Sequence, residues 1–263
     1  MKTGILVASF GTTYVQAADK AIAPIIHESK QRYPQAQVAQ AYTSNLVRAA
    51  LKKRGVDIPD APAAMRSLAQ AGVEQLYILP THLLYGEEYG KLCTQAESEK
   101  HRFAQVRIAQ PLLENNQALA DCIVAMETEL SPAEEECLIW VGHGSPTFAN
   151  VAYAALDYMC KESGRKNVFV GAMESYPDLA VLLEQLKQSP YRKVLLAPLL
   201  LVAGDHAHND IGGDEPDSWK SILQAEGYQV RCDLRGLGEY AAIRALYQRR
   251  LDEAMQGSGA HGV

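Results

Sequence analysis

Three residues with side chains that can bind a metal, His143, Glu174 and His206, each stand at or just past the C-terminal end of a separate apolar run. The intervals between them are 31 and 32 residues, close to the length of one βαβ unit. In an open parallel α/β sheet, the loops at the carboxyl ends of the strands line the ligand crevice, so we expect the three side chains to converge there. Two imidazoles and one carboxylate indicate a metal site or an acid–base site.

The donor types indicate which metals could bind, and the flanking residues help to separate a ligand role from a structural one. A set of two histidines and one carboxylate suits Co²⁺, Fe²⁺, Ni²⁺ or Zn²⁺ and leaves coordination positions open. Each residue also has a structural interpretation: His143 as a hydrogen-bonding histidine in a turn, Glu174 as a carboxylate at a helix start, and His206 as a surface loop residue. Gly142 and Gly144 flank His143 and favour the ligand interpretation, because glycine allows close approach of the backbone.

Apolar runs rich in Val, Ile and Leu alternate with helical stretches, a pattern typical of a parallel, doubly wound α/β sheet. We expect eight strands, near 3–9, 37–42, 75–79, 105–109, 137–141, 167–172, 193–197 and 229–232. We expect helices near 16–32, 63–71, 88–101, 117–129, 150–162, 178–188 and 240–255. Pro24 should kink or interrupt the first helix, because proline lacks the backbone N–H that a helix interior needs.

The two halves of the chain echo each other. The sequence Ser9-Phe10-Gly11-Thr12 matches Gly142-His143-Gly144-Ser145, and Ala41-Tyr42-Thr43-Ser44 matches Ala172-Met173-Glu174-Ser175 in the same order. This indicates an internal duplication of a four-stranded unit. On this alignment Phe10 and Thr43 take the places of His143 and Glu174.

The duplication predicts two similar lobes that face a central cleft. We place an N-terminal α/β lobe at 1–130 and a C-terminal α/β lobe, which carries the metal ligands, at 131–256. The last residues, 257–263, lack periodicity and are expected to be disordered.

Composition excludes several classes of function. Charged residues are 21% of the 263 residues and apolar ones 48%, with a net charge of −6, so nucleic acid is not an expected partner. No run approaches the 18 apolar residues of a membrane span, and the apolar start of the chain is short for a signal peptide. The five cysteines form no CxxC pair, which favours free thiols in a reducing compartment. These features predict a cytoplasmic protein with no membrane partner.

Several cofactor and catalytic motifs are missing. The turns at Gly11-Thr12-Thr13 and Gly144-Ser145-Pro146-Thr147 each follow a strand and precede a helix, a place where unpaired N–H groups attract anions. Neither turn has the GxGxxG pattern of a dinucleotide site, and no phosphate-binding P-loop or GxSxG nucleophile turn occurs. We therefore expect no tightly bound cofactor.

Longer motifs along almost the whole chain resemble one family. They are Val7-Ala8-Ser9-Phe10-Gly11-Thr12, Gly86-Glu87-Glu88-Tyr89, Gly142-His143-Gly144, Glu174-Ser175-Tyr176-Pro177, 199–206 with Asn209-Asp210, Asp217-Ser218-Trp219-Lys220 and Gly236-Leu237-Gly238-Glu239. The chain resembles the anaerobic-pathway sirohydrochlorin cobaltochelatases of the class II chelatase superfamily, which are related in fold to ferrochelatase.

The resemblance implies a lyase-type metal chelatase that inserts Co²⁺ into sirohydrochlorin or precorrin-2, early in cobalamin synthesis. It implies His143, Glu174 and His206 as metal ligands and Glu88 as a further carboxylate. Insertion must also remove two pyrrole protons, and histidine is suited to bind metal and to accept protons. We expect His143, His206 and Glu88 to be catalytic, with His143 as principal ligand and base, although the sequence leaves open which histidine is the base.

We expect the tetrapyrrole to contact the two glycine turns and the further carboxylate. This set comprises Phe10, Gly11, Thr12, Glu88, Gly144 and Ser145. The sequence does not identify the basic residues that would meet the substrate carboxylates, nor the roles of His82 and His208.

Other functions stay open at this point. The metal could be Fe²⁺ or Ni²⁺ on the same tetrapyrrole, and the oligomeric state, including a homo-oligomer, is undetermined. A non-catalytic two-lobed carrier of tetrapyrrole or metal is one alternative. A hydrolase that uses a metal-bound water is another.

Overall fold

The apolar runs form two β-sheets in the computed structural model, which describes residues 1–257 and 260–262. The strands are β1 Thr3–Ser9, β2 Gln37–Tyr42, β3 Gln75–Pro80, β4 Gln105–Ala109, β5 Glu136–Gly142, β6 Val168–Ala172, β7 Lys193–Pro198, β8 Gln229–Cys232 and β9 Ala260–Gly262. The helices are α1 Val15–Ala21, α2 Ala23–Arg32, α3 Asn45–Lys53, α4 Ala61–Gln70, α5 Glu87–Glu99, α6 Asn116–Glu129, α7 Val151–Glu162, α8 Leu179–Lys187, α9 Trp219–Ala225 and α10 Ala241–Gln256. None of the described helices is long and apolar enough to cross a membrane.

The two sheets share one topology. The first has the order β2-β1-β3-β4-β9 and the second β6-β5-β7-β8. Strands β1 to β4 pair in parallel, as do β5 to β8, while β9 joins the edge of β4 in the antiparallel direction. The predicted fold class, two four-stranded parallel sheets with flanking helices, is confirmed, as are the eight predicted strands.

Each sheet has its own buried core. In the first, Leu6, Ile78 and Met65 are among the buried side chains. In the second, Ile139, Leu196 and Leu182 are among them. Near-continuous burial of the central strands is what parallel sheets with helices on both faces require. All five cysteines are free, as predicted.

The compact units differ from the predicted lobes. One unit comprises 1–114 and 244–263, and the other 115–243. Helix α6 belongs to the second unit, where it packs against α7. Helix α10 belongs to the first unit from Arg244 onward. There the hydroxyl of Tyr247 donates to Thr81 O at 2.9 Å and Gln248 Nε2 donates to Ile25 O at 3.1 Å. Helix α10 therefore packs on the unit that contains the first sheet. A single boundary near residue 130 does not separate the two units.

Within each unit, the first two strands end in the same hydrogen-bonding pattern. The N–H of Ser44 donates to Phe10 O at 3.2 Å, and that of Glu174 donates to His143 O at 2.9 Å. Phe10 and His143 are therefore equivalent, as predicted. The predicted equivalence of Thr43 with Glu174 is wrong by one residue, because the backbone equivalent of Glu174 is Ser44.

Helices α3 and α9 and a π-helical segment were not predicted, and one predicted break is present. Helix α3 is capped by the Ser44 side chain, α9 by that of Ser218, and a π-helical segment spans Ala207–Ile211. The predicted interruption at Pro24 separates α1 from α2. In the tail predicted to be disordered, residues 258, 259 and 263 lie outside the described residues, while 260–262 form β9.

Candidate functional site

His143 stands at the carboxyl end of β5, between two glycines that the packing requires. A side chain at Gly142 would place its Cβ 2.2 Å from the Tyr153 ring. Gly144 has a φ of +98°, and a Cβ there would lie 3.0 Å from the backbone nitrogen of Ser175. Gly142 thus lets Tyr153 of α7 pack against the end of β5, and Gly144 lets the turn after β5 lie directly against the turn after β6.

Glu174 and His206 come to the same edge of this sheet as His143. Glu174 follows β6, and its Oε1 lies 3.7 Å from His143 Nε2. The His206 ring packs edge-on against the His143 ring, with centroids 4.8 Å apart and planes at 84°. The strand order reverses between β5 and β7, the place where open α/β sheets bind ligands. The structure therefore brings the three predicted ligands together.

All three side chains are open to solvent. The exposed fractions are 42% for His143, 63% for Glu174 and 45% for His206. No three His, Cys, Asp or Glu side chains in 1–257 and 260–262 are already arranged around a point that could hold a metal ion. The ligands are thus neighbours whose donor atoms still have to turn toward a common centre.

In both histidines the same ring nitrogen, Nδ1, lies next to a hydrogen-bond acceptor. Nδ1 of His143 lies 3.2 Å from Gly144 O, and Nδ1 of His206 lies 2.5 Å from Asp210 Oδ2. Carbonyl and carboxylate oxygens only accept hydrogen bonds, so each Nδ1 carries the hydrogen. In the neutral imidazole this leaves the lone pair on Nε2, where a metal can bind.

Glu88 belongs to a separate polar cluster in the first unit, formed with Thr43, His82 and Lys91. Lys91 Nζ donates to Thr43 O at 2.7 Å and lies 3.5 Å from Glu88 Oε1. His82 Nε2 lies 3.4 Å from Thr43 Oγ1. Nδ1 of His82 and Oε2 of Glu88 are inaccessible to solvent and, in the described part of the chain, have no hydrogen-bond partner. The hydrogen-bonding capacity of both atoms is therefore unused within this cluster.

Burial determines the charge of His82. It lowers the pKa of this imidazole to about 4, with a smaller lowering from Lys91 and an opposing effect of Glu88. His82 is therefore neutral at neutral pH and unsuited to hold a proton there.

The two glycine turns have different environments. Phe10 leaves 49% of its surface exposed, and Gly11, with a φ of +95°, lies so close to the Tyr42 ring that a Cβ would come within 2.4 Å of it. Thr12 is buried, and its hydroxyl accepts from Tyr14 N at 3.1 Å. The first turn therefore presents an apolar ring to solvent.

In the second turn, the N–H groups expected to bind anions are already used. The N–H of Ser145 donates to Asn150 Oδ1 at 3.0 Å, and that of Thr147 donates to Ser145 Oγ at 3.2 Å. The side chains of Ser145 and Thr147 also bond each other at 2.9 Å. An anion would have to displace these bonds, so the prediction that this turn is a ready anion site is wrong.

Comparison with known proteins places the chain in a family. The model of the family described as cobalt chelatase (CbiK) matches residues 3–256. The sirohydrochlorin cobaltochelatase of Salmonella typhimurium is 34% identical, over 97% of this chain and 97% of that protein. The chain belongs to the cobalt chelatase family. Another relative, the sirohydrochlorin cobaltochelatase CbiKC of Nitratidesulfovibrio vulgaris, is 29% identical over 97% of this chain and 91% of its own.

Solved structures support the same fold. SirB from Bacillus subtilis with Fe³⁺ matches with a TM-score of 0.68 at 13% identity, covering 98% of this chain and 99% of that one. The sirohydrochlorin chelatase SirB from Bacillus subtilis subspecies spizizenii, in complex with cobalt, matches with a TM-score of 0.63 at 13% identity, covering 99% of each. The resemblance drawn from the sequence is confirmed, and the protein is a metal chelatase.

Two residues that contact predicted site residues were given no role from sequence. Lys91 follows Glu88 at the i,i+3 spacing of a helix, a signal that was available. Asp210 follows His206 at i,i+4. The side chain of Asp210 was not assigned a role because the segment around it was expected to be a loop.

Proposed function

We propose that the protein inserts Co²⁺ into sirohydrochlorin or precorrin-2, with release of two pyrrole protons. The observation that carries this proposal is the grouping of His143, Glu174 and His206 at the carboxyl edge of one sheet. The names of two relatives that match almost the whole chain support the same substrate and metal.

The open geometry of the three ligands suits a metal that passes through the site. A structural metal site closes with four protein ligands, whereas a site that exchanges its metal keeps positions open. Here the proposed set has three protein donors, and each side chain is about half exposed. Co²⁺ is the substrate, bound by nitrogen and oxygen donors and then transferred to the four nitrogens of the macrocycle.

Proton removal needs acceptor atoms as well as metal ligands. The reaction exchanges one divalent ion for two protons. Charge therefore balances when two protein groups each accept one pyrrole proton, one after the other. We assign this role to His143 Nε2, whose lone pair becomes available when it gives up the metal, and to Glu88, whose Oε2 has no partner in the described part of the chain. His206 completes the metal site. His82 is neutral at neutral pH and serves as a fixed dipole beside Glu88.

The macrocycle needs an apolar surface and cationic groups. The exposed ring of Phe10 supplies a flat apolar contact. Gly11 and Thr12 follow Phe10 in its turn, Gly144 and Ser145 follow His143 in the other, and we propose all four as further contacts. Sirohydrochlorin carries many carboxylates, while this chain has a net charge of −6, so local cations have to contact it.

Two cations are placed beside these residues. Lys91 Nζ donates to Thr43 O in the polar cluster of Glu88. Arg54 Nη1 donates to Thr13 O at 3.1 Å, on the turn that carries Phe10. We propose both as contacts for substrate carboxylates.

A multiple-turnover assay tests this function. Purified protein is mixed with excess sirohydrochlorin and Co²⁺, and the pigment spectrum is followed over time against a reaction without protein. A chelatase converts many equivalents per protein, whereas a carrier shifts the spectrum by one equivalent and stops. Conversion that stops at one equivalent, or ester cleavage without any insertion, would overturn the proposal. Parallel reactions with Fe²⁺ and Ni²⁺ determine the preferred metal, which is set by geometry and supply as well as by donor type.

A further inference from the structure

Asp210 is linked to His206 by the shortest contact at the metal-ligand residues. Its Oδ2 lies 2.5 Å from His206 Nδ1, and the two residues are four apart in sequence. His206 directly precedes the π-helical segment Ala207–Ile211, and Asp210 lies within it. Such segments often occur at functional sites, and this one aligns the carboxylate with the ring.

The contact fixes which nitrogen of His206 can bind a metal. Because the carboxylate accepts a hydrogen bond, Nδ1 carries the hydrogen and Nε2 keeps its lone pair. His143 is held in the same tautomer by a different acceptor, Gly144 O at 3.2 Å. The backbone carbonyl is neutral, whereas the Asp210 carboxylate is charged and therefore forms the stronger hydrogen bond.

We propose that Asp210 is a positioning residue that orients the His206 ring and holds Nε2 free for the incoming metal. The inference rests on the proposed function, since it assumes that His206 receives the metal. Outer carboxylates on metal-binding histidines fix the ring and raise its basicity, and their loss costs about 10- to 100-fold in metal affinity. Asp210 thus makes His206 the more firmly oriented of the two imidazoles.

The same segment offers a matched control. Asp205 directly precedes His206, and its Oδ1 accepts from Asn209 Nδ2 at 2.8 Å. Asp205→Asn and Asp210→Asn each remove one negative charge from the same short segment around His206. Only Asp210→Asn removes the carboxylate from Nδ1, so the pair separates positioning from a general effect of negative charge.

The test is a Co²⁺ titration without tetrapyrrole, combined with ¹⁵N NMR of the histidine rings at alkaline pH. We expect Asp210→Asn to weaken Co²⁺ binding about 10- to 100-fold, Asp205→Asn to change it less than about threefold, and Asp210→Glu to retain more affinity than Asp210→Asn. In the wild type, His206 should be protonated on Nδ1, and Asp210→Ala, which leaves no acceptor there, should shift it toward Nε2. Equal losses in the two Asn variants, or protonation of wild-type His206 on Nε2, would overturn the proposal. A chain that shows these effects yet fails to insert cobalt would contradict the proposed function instead.

Discussion

Phe10 occupies in the first unit the backbone position that His143 occupies in the second. Each accepts a hydrogen bond on its carbonyl from the start of the next turn, from Ser44 and from Glu174. Each is followed by a glycine with positive φ, +95° at Gly11 and +98° at Gly144. The two turns thus share one backbone arrangement, but the first carries an exposed aromatic ring and the second an imidazole that we propose as a metal ligand.

Replacing Phe10 should therefore affect the macrocycle and not the metal. We expect Phe10→Ala to raise the KM for sirohydrochlorin about 3- to 10-fold, the size of one lost aromatic contact, with an unchanged Co²⁺ affinity. Tyr158→Ala is the control, because Tyr158 is also an exposed aromatic residue and lies in α7, outside the proposed contacts. A Phe10→Ala variant with the wild-type KM would remove Phe10 from the substrate site.

Glu88→Gln should slow proton removal without affecting metal binding. A positioned acid–base group contributes about 10²- to 10⁴-fold to a rate, and since Glu88 shares this role we expect kcat to fall at least about tenfold. Glu87→Gln provides the control, since Glu87 is the neighbouring carboxylate in the first turn of α5. Steady-state kinetics at saturating Co²⁺ measures both. Similar rates for the two variants would show that Glu88 has no specific part.

Gly144→Ala should lower the affinity for Co²⁺, an effect that backbone strain at a positive φ does not by itself produce. The Cβ would meet Ser175 at 3.0 Å and the carbonyl carbon of Glu174 at 3.2 Å, so the turn that carries Glu174 must move. Gly164 also has a positive φ, +89°, but has no atom within 4 Å of a Cβ. We expect both variants to lose about 1–2 kcal/mol through left-handed strain and only Gly144→Ala to lose Co²⁺ affinity. Equal Co²⁺ affinities, measured by titration, would contradict the role of this close approach.

The buried imidazole of His82 should make folding sensitive to mild acid. Burial lowers its pKa to about 4 in the folded protein, against about 6.5 in the unfolded chain. The neutral ring therefore contributes stability fully above pH 6.5, and this stability is lost as the pH falls through 4, to a limit of about 3 kcal/mol. Urea denaturation across this range should show a shallower loss for His82→Gln than for the wild type. Parallel curves would mean that His82 titrates normally.

The sequence predicted the strands and the grouping of His143, Glu174 and His206 because both have strong local signals. Buried parallel strands appear as continuous apolar runs, and His143 and Glu174 directly follow such runs. The same argument failed for α9, whose seven residues are too few to give a clear helical period. The sequence alignment of the two halves also paired Glu174 with Thr43 in place of Ser44. The alignment compared residue types, whereas the structural equivalence is defined by backbone hydrogen bonds.

The remaining features depend on contacts between residues distant in sequence. The assignment of α10 to the first unit rests on Tyr247 reaching Thr81 and Gln248 reaching Ile25, which no local pattern reveals. The lowered pKa of His82 depends on burial that only the packed structure provides. The predicted anion site at Ser145 is instead lost through a local contact, because Asn150, five residues away, accepts the hydrogen bond from the N–H of Ser145.

Steady-state cobalt insertion into sirohydrochlorin by the wild type, His143→Ala and His206→Ala tests the account most directly. Circular dichroism first confirms that the variants are folded, as expected for side chains that are about half exposed. We predict many turnovers for the wild type and, for both variants, a rate lower by at least about a hundredfold, since each loses a metal ligand and His143→Ala also loses a base. A wild-type rate in either folded variant would contradict the assignment of the metal site to this edge of the second sheet.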